Sequence, residues 1–420
     1  IRYLVRSRGL GDVYKRQTIN RRDFIFLTGL TGLSALTSPW LKRPSRYGQP
    51  QPGEKNITPE SWIELNPDHI QWNLKQIRQK VKVPIMAVIK ANAYGHGLVE
   101  FGKILDQSGI DALMVCELQE AVTLRESSIS CPIYNFGPVI PQNTDILIQH
   151  NISQFLHSGD IQELSRQAEK RNANTNCHIH IDTGMHRMGF PCENALPVIQ
   201  MASALKGLSI SGISTTLTED KDFDKVQLQT LQSIYDKAKA LSIDLGMRHA
   251  ASSAGIFESE SYFLDMTRPG IVLYGYYPNE RTLKEDALSL RPVLSFNSRV
   301  VDVKTVEPGE SVSYLREYKA KQREKIAVIP VGYSSGYPVS GKAQVLIQGK
   351  RYPVLDTITA NHMEAKLSLD SSVAPGDQVT MIGTQGNESI TADDLASWAG
   401  ISNYKALIRL NPTIPRRVMH

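Results

Sequence analysis

The chain of 420 residues has little cysteine and no apolar run of membrane-spanning length, and both absences narrow its class. Its four cysteines have neither Cys-x-x-Cys spacing nor an accompanying histidine pattern, so the sequence predicts no metal site. Three of them, Cys116, Cys131 and Cys177, lie in or beside apolar segments, and we expect buried free thiols. The moderately apolar stretch from Phe24 to Leu36 is too short to remain as a membrane-spanning helix.

Charge is distributed unevenly, and the overall value of +5 hides the difference. Residues 1–55 hold eleven Lys and Arg against three Asp and Glu, a net charge of +8. Residues 56–420 hold 36 basic and 39 acidic residues, a net charge of −3. The larger part of the chain is therefore slightly acidic, and we expect no nucleic-acid partner. Its length and its hydrophobic content of 41% suit a globular enzyme of two domains.

The N-terminal residues are predicted to lie outside the folded enzyme. Residues 1–17 show neither periodicity nor a leader pattern and are interpreted as non-native or mistranslated sequence. Residues 18–55 are predicted to be an export signal and linker, because Arg21-Arg22 precedes the apolar stretch and a Pro/Gly/Gln-rich segment follows it. Paired arginines resemble a twin-arginine signal, which exports folded proteins. We expect a periplasmic protein without a stable membrane span after leader removal; an uncleaved anchor and a cytoplasmic location are the alternatives.

The segment from Ala87 to Gly97 joins a predicted buried strand to a lysine. The apolar run from Pro84 to Ile89 has strand length and stops at Lys90. In α/β barrels the carboxyl ends of the strands carry the chemistry. A lysine there loses hydration, which favours the neutral amine that attacks a carbonyl and forms a Schiff base. A lysine that merely extends to solvent is the alternative.

Apolar runs of strand length alternate with amphipathic helical segments through residues 56–290. The eight runs lie near residues 85–89, 112–115, 133–136, 153–156, 177–181, 211–215, 246–250 and 271–274. The clearest helical segments are 118–126, 160–171, 193–205 and 222–241. This alternation predicts a closed (β/α)₈ TIM barrel. Before it, Ser61 to Leu65 alternates like a short strand, and Asn66-Pro67-Asp68 has the pattern of a helix start.

Residues 291–420 are predicted to form a second, mainly β domain. Turn signals such as Pro308-Gly309, Gly349 and Pro375-Gly376-Asp377 separate short strands, and helical periodicity nearly disappears until Thr391. The predicted fold class is therefore α/β, with an N-terminal barrel followed by a C-terminal β domain.

The lysine segment resembles a cofactor motif. The string Ala-Val-Ile-Lys-Ala-Asn-Ala-Tyr-Gly-His-Gly, from Ala87 to Gly97, is similar to the lysine motif of the alanine racemase family, whose cofactor is pyridoxal 5'-phosphate (PLP). The resemblance extends from about Trp62 to Arg416. It implies that Lys90 holds the cofactor and that Tyr94 contacts its phosphate.

Two further strings resemble phosphate-binding motifs of the same family. They are His249–Ala254 and Arg268–Gly275. The resemblance implies that the Ser253 hydroxyl and the backbone at Gly270 and Ile271 bind phosphate, together with Tyr404 near the C-terminus. It also places Arg268 against the pyridine nitrogen, where a permanent cation cannot accept a proton and side reactions are suppressed. Taken alone, Arg268 could equally form a salt bridge at the barrel mouth.

Racemisation requires a base on each face of the planar carbanion at Cα, and Lys90 serves only one face. Tyr314 lies in a string similar to the family's catalytic tyrosine motif, and Gly332–Tyr337 resembles a second family string. Arg187, in Asp182–Gly189, is the candidate that binds the substrate carboxylate and helps the tyrosine to ionise. In the family the tyrosine comes from a second subunit, so the resemblance implies a homodimer with Tyr314 at its interface.

Several positions depart from the family's pattern. The family usually has a lysine, often carbamylated, at the position of His180, and a histidine at the position of Thr216. Ser252 stands in place of an asparagine, and Ser335 in place of an acid. Ala360 replaces a methionine that lies at the substrate carboxylate and would bind substrate here. Because the lysine, the cofactor arginine and the tyrosine are present, we expect altered specificity or rate.

The sequence therefore predicts a PLP-dependent racemase that interconverts L- and D-amino acids, either alanine, for D-alanine biosynthesis, or a broader set. A decarboxylase of the same barrel type is the alternative within enzymes, although those pair an acid with the pyridine nitrogen and Arg268 argues against it. A catalytically silent PLP-binding paralogue is the third possibility, because the partners at His180, Thr216 and Ser252 differ.

Overall fold

The computed structural model of the chain describes residues 58–285, 288–338 and 340–419. Both predicted N-terminal segments, the non-native leader at 1–17 and the export signal with its linker at 18–55, lie outside the described residues. Among the residues that are described, no helix is both long and apolar enough to cross a membrane.

Strand β1 (Ser61–Leu65) and helix α1 (Pro67–Lys80) come first, as the sequence predicts. The Asn66 side chain accepts a hydrogen bond from the His69 amide (3.1 Å), which caps the helix. Pro67 occupies the first turn, where its missing amide hydrogen would have no partner within the helix.

Seven parallel strands then curl into the wall of the barrel, and a short eighth strand, β7, pairs with one of them. Their hydrogen-bonding order follows the chain, except that the two-residue strand β7 pairs only with β6. The strands are β2 (Met86–Val88), β3 (Ala112–Val115), β4 (Ile133–Asn135), β5 (Ser153–Leu156), β6 (Thr175–Asp182), β7 (Phe190–Pro191), β8 (Leu208–Ser214) and β9 (Met247–His249). Strands β2 to β5 are buried throughout, as expected of parallel strands covered on both faces.

A two-residue segment fills the eighth position of the barrel. Met266 forms a parallel bridge to His249, and Thr267 forms one to Ile85, so the segment connects β9 to the edge of β2. The predicted eighth strand at 271–274 is wrong, because these residues form a 3₁₀ turn. All four are buried, and a short apolar run buried on every side does not distinguish a strand from a helical turn.

Helices connect the strands, and the four clearest helical predictions are confirmed by α4, α6, α7 and α8 below. The helices of this part are α3 (Leu98–Gln107), α4 (Leu118–Glu126), α5 (Thr144–Gln149), α6 (Ile161–Lys170), α7 (Ala195–Ala204), α8 (Lys221–Ala240) and α9 (Glu280–Glu285), and α2 (Lys90–Tyr94) is a single left-handed turn. Asp160 and Asp220 cap α6 and α8 with their side chains, as short polar residues do at helix starts.

The C-terminal part is rich in strands, so the predicted order of a barrel followed by a mainly β domain is confirmed. Its elements are β10 (Leu294–Arg299), β11 (Asp302–Val306), β12 (Ser311–Val312), β13 (Tyr318–Lys319), β14 (Glu324–Ile329), β15 (Gln344–Ile347), β16 (Lys350–Pro353), β17 (Met363–Leu367), β18 (Gln378–Gln385), β19 (Glu388–Ile390), α10 (Ala392–Ala399), α11 (Asn403–Ile408) and β20 (Arg416–Val418).

The largest C-terminal sheet has the order β16, β15, β18, β10, β1, β20, with β19 paired to β18. Strand β1 is antiparallel to β10 and parallel to β20, so the segment before the barrel completes this sheet. Strands β11, β14 and β17 form a second sheet, and β12 and β13 form a hairpin. One buried apolar cluster runs from the barrel into α11, which brings the C-terminal residues against the segment that carries Lys90.

Candidate active site

Lys90 lies where β2 ends, and the backbone after it turns left-handed. Residues 91–94 all have φ between +50° and +55°. This conformation costs roughly 1–2 kcal/mol for each residue with a Cβ, so the turn persists only because surrounding contacts fix it. Such strain is concentrated at functional sites. We call Lys90–Gly95 the lysine turn.

Contacts from α4, α11 and β20 fix the lysine turn. The Glu120 carboxylate in α4 accepts a hydrogen bond from the Asn92 amide (2.8 Å). Gly95 lies so close to α11 that a Cβ on it would come within 2.1 Å of the Leu407 carbonyl oxygen. Arg416 in β20 donates from Nη2 to the Gly95 carbonyl oxygen (2.9 Å). The end of the C-terminal domain is therefore part of the structure around Lys90.

The groups predicted to bind phosphate lie together beside the lysine turn. The Gly270 amide donates to Ser253 Oγ (2.8 Å), and Ile271 follows in the same buried turn. A Cβ on Gly270 would lie 2.8 Å from the Tyr94 hydroxyl, so only glycine leaves this space open. The Tyr404 ring lies 5.8 Å from the Tyr94 ring. Burial raises the pKa of both tyrosines, so their neutral hydroxyls can donate to an anion.

Arg268 is buried and lies two residues before Gly270. Its Nη1 donates to the His249 carbonyl oxygen (2.9 Å) and contacts the His249 ring, and its Nη2 donates to the Thr215 carbonyl oxygen (2.6 Å). The His249 ring is hydrogen-bonded in turn to the His178 ring (2.8 Å). Within the described residues, all hydrogen bonds of the guanidinium use its Nη atoms, which leaves Nε for a ligand. Burial lowers the Arg268 pKa to about 10, so the group stays cationic at neutral pH.

His180 is a neutral residue inside the barrel. Its Nδ1 is hydrogen-bonded to Ser214 Oγ (2.8 Å), and its Nε2 lies 3.4 Å from Thr216 Oγ1. Burial, reinforced by the positive charge of Arg268, holds the His180 pKa well below its usual range. At neutral pH this position therefore carries no charge, whereas a carbamylated lysine would carry a negative one.

Arg187 follows a tight loop after β6. Asp182 shapes this loop by accepting a hydrogen bond from the His186 amide (3.0 Å). Burial raises the pKa of the Cys116 thiol, while the positive charges of Lys90 and Arg187 act in the opposite direction. Both cations therefore lie within electrostatic reach of the same thiol.

A cavity of about 360 Å³ opens beside Lys90. It lies between the segments that follow β2 and β3, at the carboxyl ends of barrel strands, where such enzymes bind ligands. Its lining residues are Lys90, Ala91, Cys116, Glu117, Gln119 and Glu120. The lysine therefore has access to a space of ligand-binding size, and it is the only predicted cofactor residue among those that line this cavity.

Tyr314 and Ala360 lie elsewhere, in the C-terminal domain, and neither lines the cavity beside Lys90. The Tyr314 side chain is 75% exposed. The Ser313 hydroxyl donates to the Thr357 carbonyl oxygen (3.3 Å), and the Ser334 amide donates to the Ala360 carbonyl oxygen (2.9 Å). The segment 357–360, which contains Ala360, is therefore hydrogen-bonded to Ser313, the residue before Tyr314, and to Ser334.

Sequence reasoning missed three residues that hold the lysine turn, namely Asn92, Glu120 and Arg416. Glu120 could have been suspected, because it follows β3 and the loops after barrel strands meet at one end. Arg416 has no local signal, since its partner Gly95 is 321 positions away in the chain.

No group of three or more His, Cys, Asp and Glu side chains that could hold a metal ion occurs among the residues described. All four cysteines are free thiols. Cys177 is buried, whereas the other three are half-buried, so the predicted burial holds only in part.

Together these features define a class of protein. PLP needs partners for its aldehyde, its phosphate and its ring nitrogen. The barrel lysine beside a cavity fits the aldehyde, and the neutral hydroxyls around Gly270, which tolerates no side chain, fit the phosphate. The buried arginine with a spare donor fits the ring nitrogen. The fold and the site are those of a barrel enzyme that binds PLP.

Comparisons with known proteins agree with this class. The model of the alanine racemase N-terminal domain matches residues 65–278, and that of the C-terminal domain matches residues 293–418. Alanine racemase 1 of Clostridium acetobutylicum is 37% identical over 84% of this chain and 94% of its own length. The alanine racemase of Halothermothrix orenii is 33% identical over 86% of this chain and 97% of its own.

Solved structures give the same result. An alanine racemase of Clostridium difficile 630 superposes with a TM-score of 0.81 at 30% identity, covering 86% of this chain and 96% of its own. A histidine racemase from Leuconostoc mesenteroides superposes with a TM-score of 0.78 at 27% identity, covering 86% and 98%.

The chain belongs to the alanine racemase family. Enzymes of this family depend on PLP, and the chain is a PLP-dependent amino-acid racemase. The predictions of family, cofactor and enzyme class are thereby confirmed, and the decarboxylase alternative gains no support.

Proposed function

We propose that this chain interconverts the L- and D-enantiomers of alanine and of a wider set of free amino acids. Lys90 serves one face of the substrate Cα, and Tyr314 of a second copy serves the other. The observation that carries the proposal is the position of Lys90, at the end of a barrel strand and beside a ligand-sized cavity. Alanine as a substrate is taken from the names of the relatives.

The cofactor is proposed to bind along the inner wall of this site. When bound, PLP supplies a conjugated ring that accepts electron density from the substrate Cα. Lys90 holds it through Nζ, and Arg268 presents Nε to the pyridine nitrogen as a donor that cannot accept a proton. The residues proposed to bind the phosphate are Tyr94, Ser253, Gly270, Ile271 and Tyr404.

Two groups are proposed to move the Cα proton. Lys90 Nζ takes or returns it on one face, and Tyr314 Oη does so on the other. Arg187 binds the substrate carboxylate with its planar fork and helps Tyr314 to ionise. Because neutral His180 places no negative charge near Arg187, that arginine keeps its full positive field for both tasks.

The proposed assembly is a homodimer that carries Tyr314 across its interface. Tyr314, Leu315 and Tyr333 are 75%, 86% and 57% exposed, although large apolar and aromatic side chains are usually buried. Aromatic residues are enriched at interfaces between subunits. In a twofold dimer, each of the two sites would combine Lys90 of one subunit with Tyr314 of the other.

The wider substrate range is proposed from Ala360. Its carbonyl oxygen is used by the Ser334 amide (2.9 Å), so the backbone there is fixed and only side-chain volume is lost relative to methionine. The histidine racemase among the structural neighbours indicates that this fold accommodates a side chain larger than a methyl group.

Incubation of the PLP-loaded chain with each L-amino acid, followed by chiral chromatography, tests the proposed activity. We expect D-alanine and at least one larger D-amino acid. An amine product with loss of carbon dioxide would establish decarboxylation instead. A PLP-loaded chain that produces neither would establish a catalytically silent paralogue.

We also propose that the enzyme acts in the periplasm. The proposal rests on Arg21-Arg22 and the apolar stretch after them, which lie outside the described residues. Changing both arginines to lysine should leave the protein in the cytoplasm, as measured by cell fractionation. Normal recovery of that variant from the periplasm would contradict the twin-arginine route.

A further inference from the structure

Glu120 is not required as an acid or a base in the proposed reaction, yet it lies against the lysine turn. Its Oε1 accepts a hydrogen bond from the Asn92 amide (2.8 Å). Its Oε2 is buried and has no hydrogen-bond partner within the described residues. Glu120 is also one of the residues that line the cavity beside Lys90.

Burial acts against a charged carboxylate at this position. Burial raises the Glu120 pKa, although the Asn92 amide acts in the opposite direction. A carboxyl group whose pKa is higher in the folded than in the unfolded state destabilises the fold when it is charged, and this cost disappears as the pH falls through the folded pKa. Above that folded pKa, burial disfavours the charged carboxylate, and the hydrogen bond from the Asn92 amide opposes this cost.

The local structure depends on Asn92. Its carbonyl oxygen accepts from the Gly97 amide (3.0 Å), and its side-chain oxygen accepts from the Leu98 amide (2.9 Å). Both contacts point forward along the chain and connect the turn to α3. The bond to Glu120 is different, because it connects the Asn92 amide to α4, on a neighbouring unit of the barrel.

We propose that Glu120 is a positioning residue that holds the lysine turn in its left-handed conformation and so directs Lys90 towards the cofactor. A hydrogen bond to a charged acceptor is stronger than one between neutral groups, and it offsets part of the cost of the left-handed residues. The inference rests on the proposed role of Lys90, because only a lysine that must point in one direction needs a fixed turn.

Hydrogen–deuterium exchange of the full-length chain tests this directly, before and after PLP is added. The variants are Glu120→Ala, which removes the acceptor, and Glu120→Gln, which keeps a neutral acceptor of the same shape. In peptides covering residues 89–98, we expect exchange to rise about tenfold in the first variant and about threefold in the second. Glu117→Gln is the matched control. Glu117 lines the same cavity, and its side chain makes no capping hydrogen bond at the start of α4, so the substitution changes the same kind of side chain without removing such a bond.

Three further measurements separate positioning from general stability. Glu120→Gln should retain PLP less tightly and show a lower kcat, while its melting temperature stays equal to the wild-type value, because the side chain keeps its shape and a neutral acceptor. A uniform rise in exchange over the whole chain with a lower melting temperature would overturn the proposal. So would wild-type exchange at 89–98 in both Glu120 variants.

The exchange measurement does not depend on catalysis, so it also separates this proposal from the proposed function. If Glu120 variants loosen residues 89–98 in a chain that racemises nothing, the positioning role stands and the racemase function fails. If the chain racemises amino acids but the turn is unaffected, the positioning role fails alone.

Discussion

The two predicted bases lie in opposite environments. Lys90 follows a buried strand, and the turn after it is strained and fixed by α4, α11 and β20. Tyr314 belongs to the C-terminal domain, where its side chain is 75% exposed. One half of the proposed site is therefore assembled within a single chain, whereas the other half faces outwards.

This difference separates two requirements of the enzyme, cofactor binding and a second base for racemisation. The groups for the cofactor, from Tyr94 to Arg268, are buried and connected, so we expect one chain to be sufficient to bind PLP. Racemisation also needs a second base, which we propose that another copy supplies. Variants on the two faces should therefore have different effects and should complement each other.

The largest effect is expected from Lys90→Ala. The variant should lose covalent attachment of PLP and lower racemisation by about 10⁴-fold, since it removes both the cofactor lysine and a proton-transfer group. Borohydride reduction followed by mass spectrometry reports the attachment site. Lys103→Ala, an exposed lysine in α3, is the control and should behave as the wild type. A reducible PLP adduct in Lys90→Ala would show that another residue holds the cofactor.

A mixture of two inactive variants gives the sharpest test of the comparison. Tyr314→Phe should keep PLP but lower racemisation by about 10²–10⁴-fold, because one face lacks its base. If each site combines two subunits, subunit exchange between Lys90→Ala and Tyr314→Phe should restore roughly a quarter of the wild-type activity, since half of the dimers then carry one intact site of two. Mixed dimers without activity would place Tyr314 in the same chain as its Lys90 partner.

Much of the fold could be predicted because its elements have strong local patterns. The strands after residue 84 are short, apolar and separated by helices with clear stripes, which is enough for a barrel. The predicted position of the eighth barrel strand is wrong for two reasons. The segment that fills this position, Met266–Thr267, has only two bridged residues, and the longer apolar run after it forms a 3₁₀ turn. Length and apolar content favoured the wrong segment.

The candidate site divides in the same way. The resemblance predicts roles for Lys90, Ser253 and Arg268. In the structure, Gly270, two residues after Arg268, contacts Ser253 and lies beside Tyr94 of the lysine turn. It could not name Glu120 or Arg416, because their contribution is one hydrogen bond each to the backbone of a turn whose left-handed conformation has no sequence pattern. Asparagine adopts positive φ more often than other non-glycine residues, but alanine and tyrosine rarely do, so this string does not predict four consecutive left-handed residues.

A smaller effect is expected on the buried half of the site. Ser253→Ala removes a hydroxyl next to the Gly270 amide and should weaken PLP binding about tenfold, the size expected for one hydrogen bond to a charged phosphate. Titration of the cofactor-free protein by absorbance measures the dissociation constant. The neighbouring Ser252→Ala is the control and should change it less. Equal effects of the two variants would remove Ser253 from the phosphate site.

The smallest effect is expected from Ala360→Met, on the exposed half. The wild type should racemise at least one longer amino acid, such as serine, methionine or lysine, with kcat/KM within about tenfold of the value for alanine. Because the Ala360 carbonyl oxygen is already hydrogen-bonded, the variant should refill side-chain volume without moving the backbone, and discrimination against the longer substrate should rise by about 1 kcal/mol. The alanine value should change little, which distinguishes a lost pocket from a damaged site. Strict alanine specificity in the wild type, or an unchanged substrate profile in the variant, would show that this position does not set the substrate range.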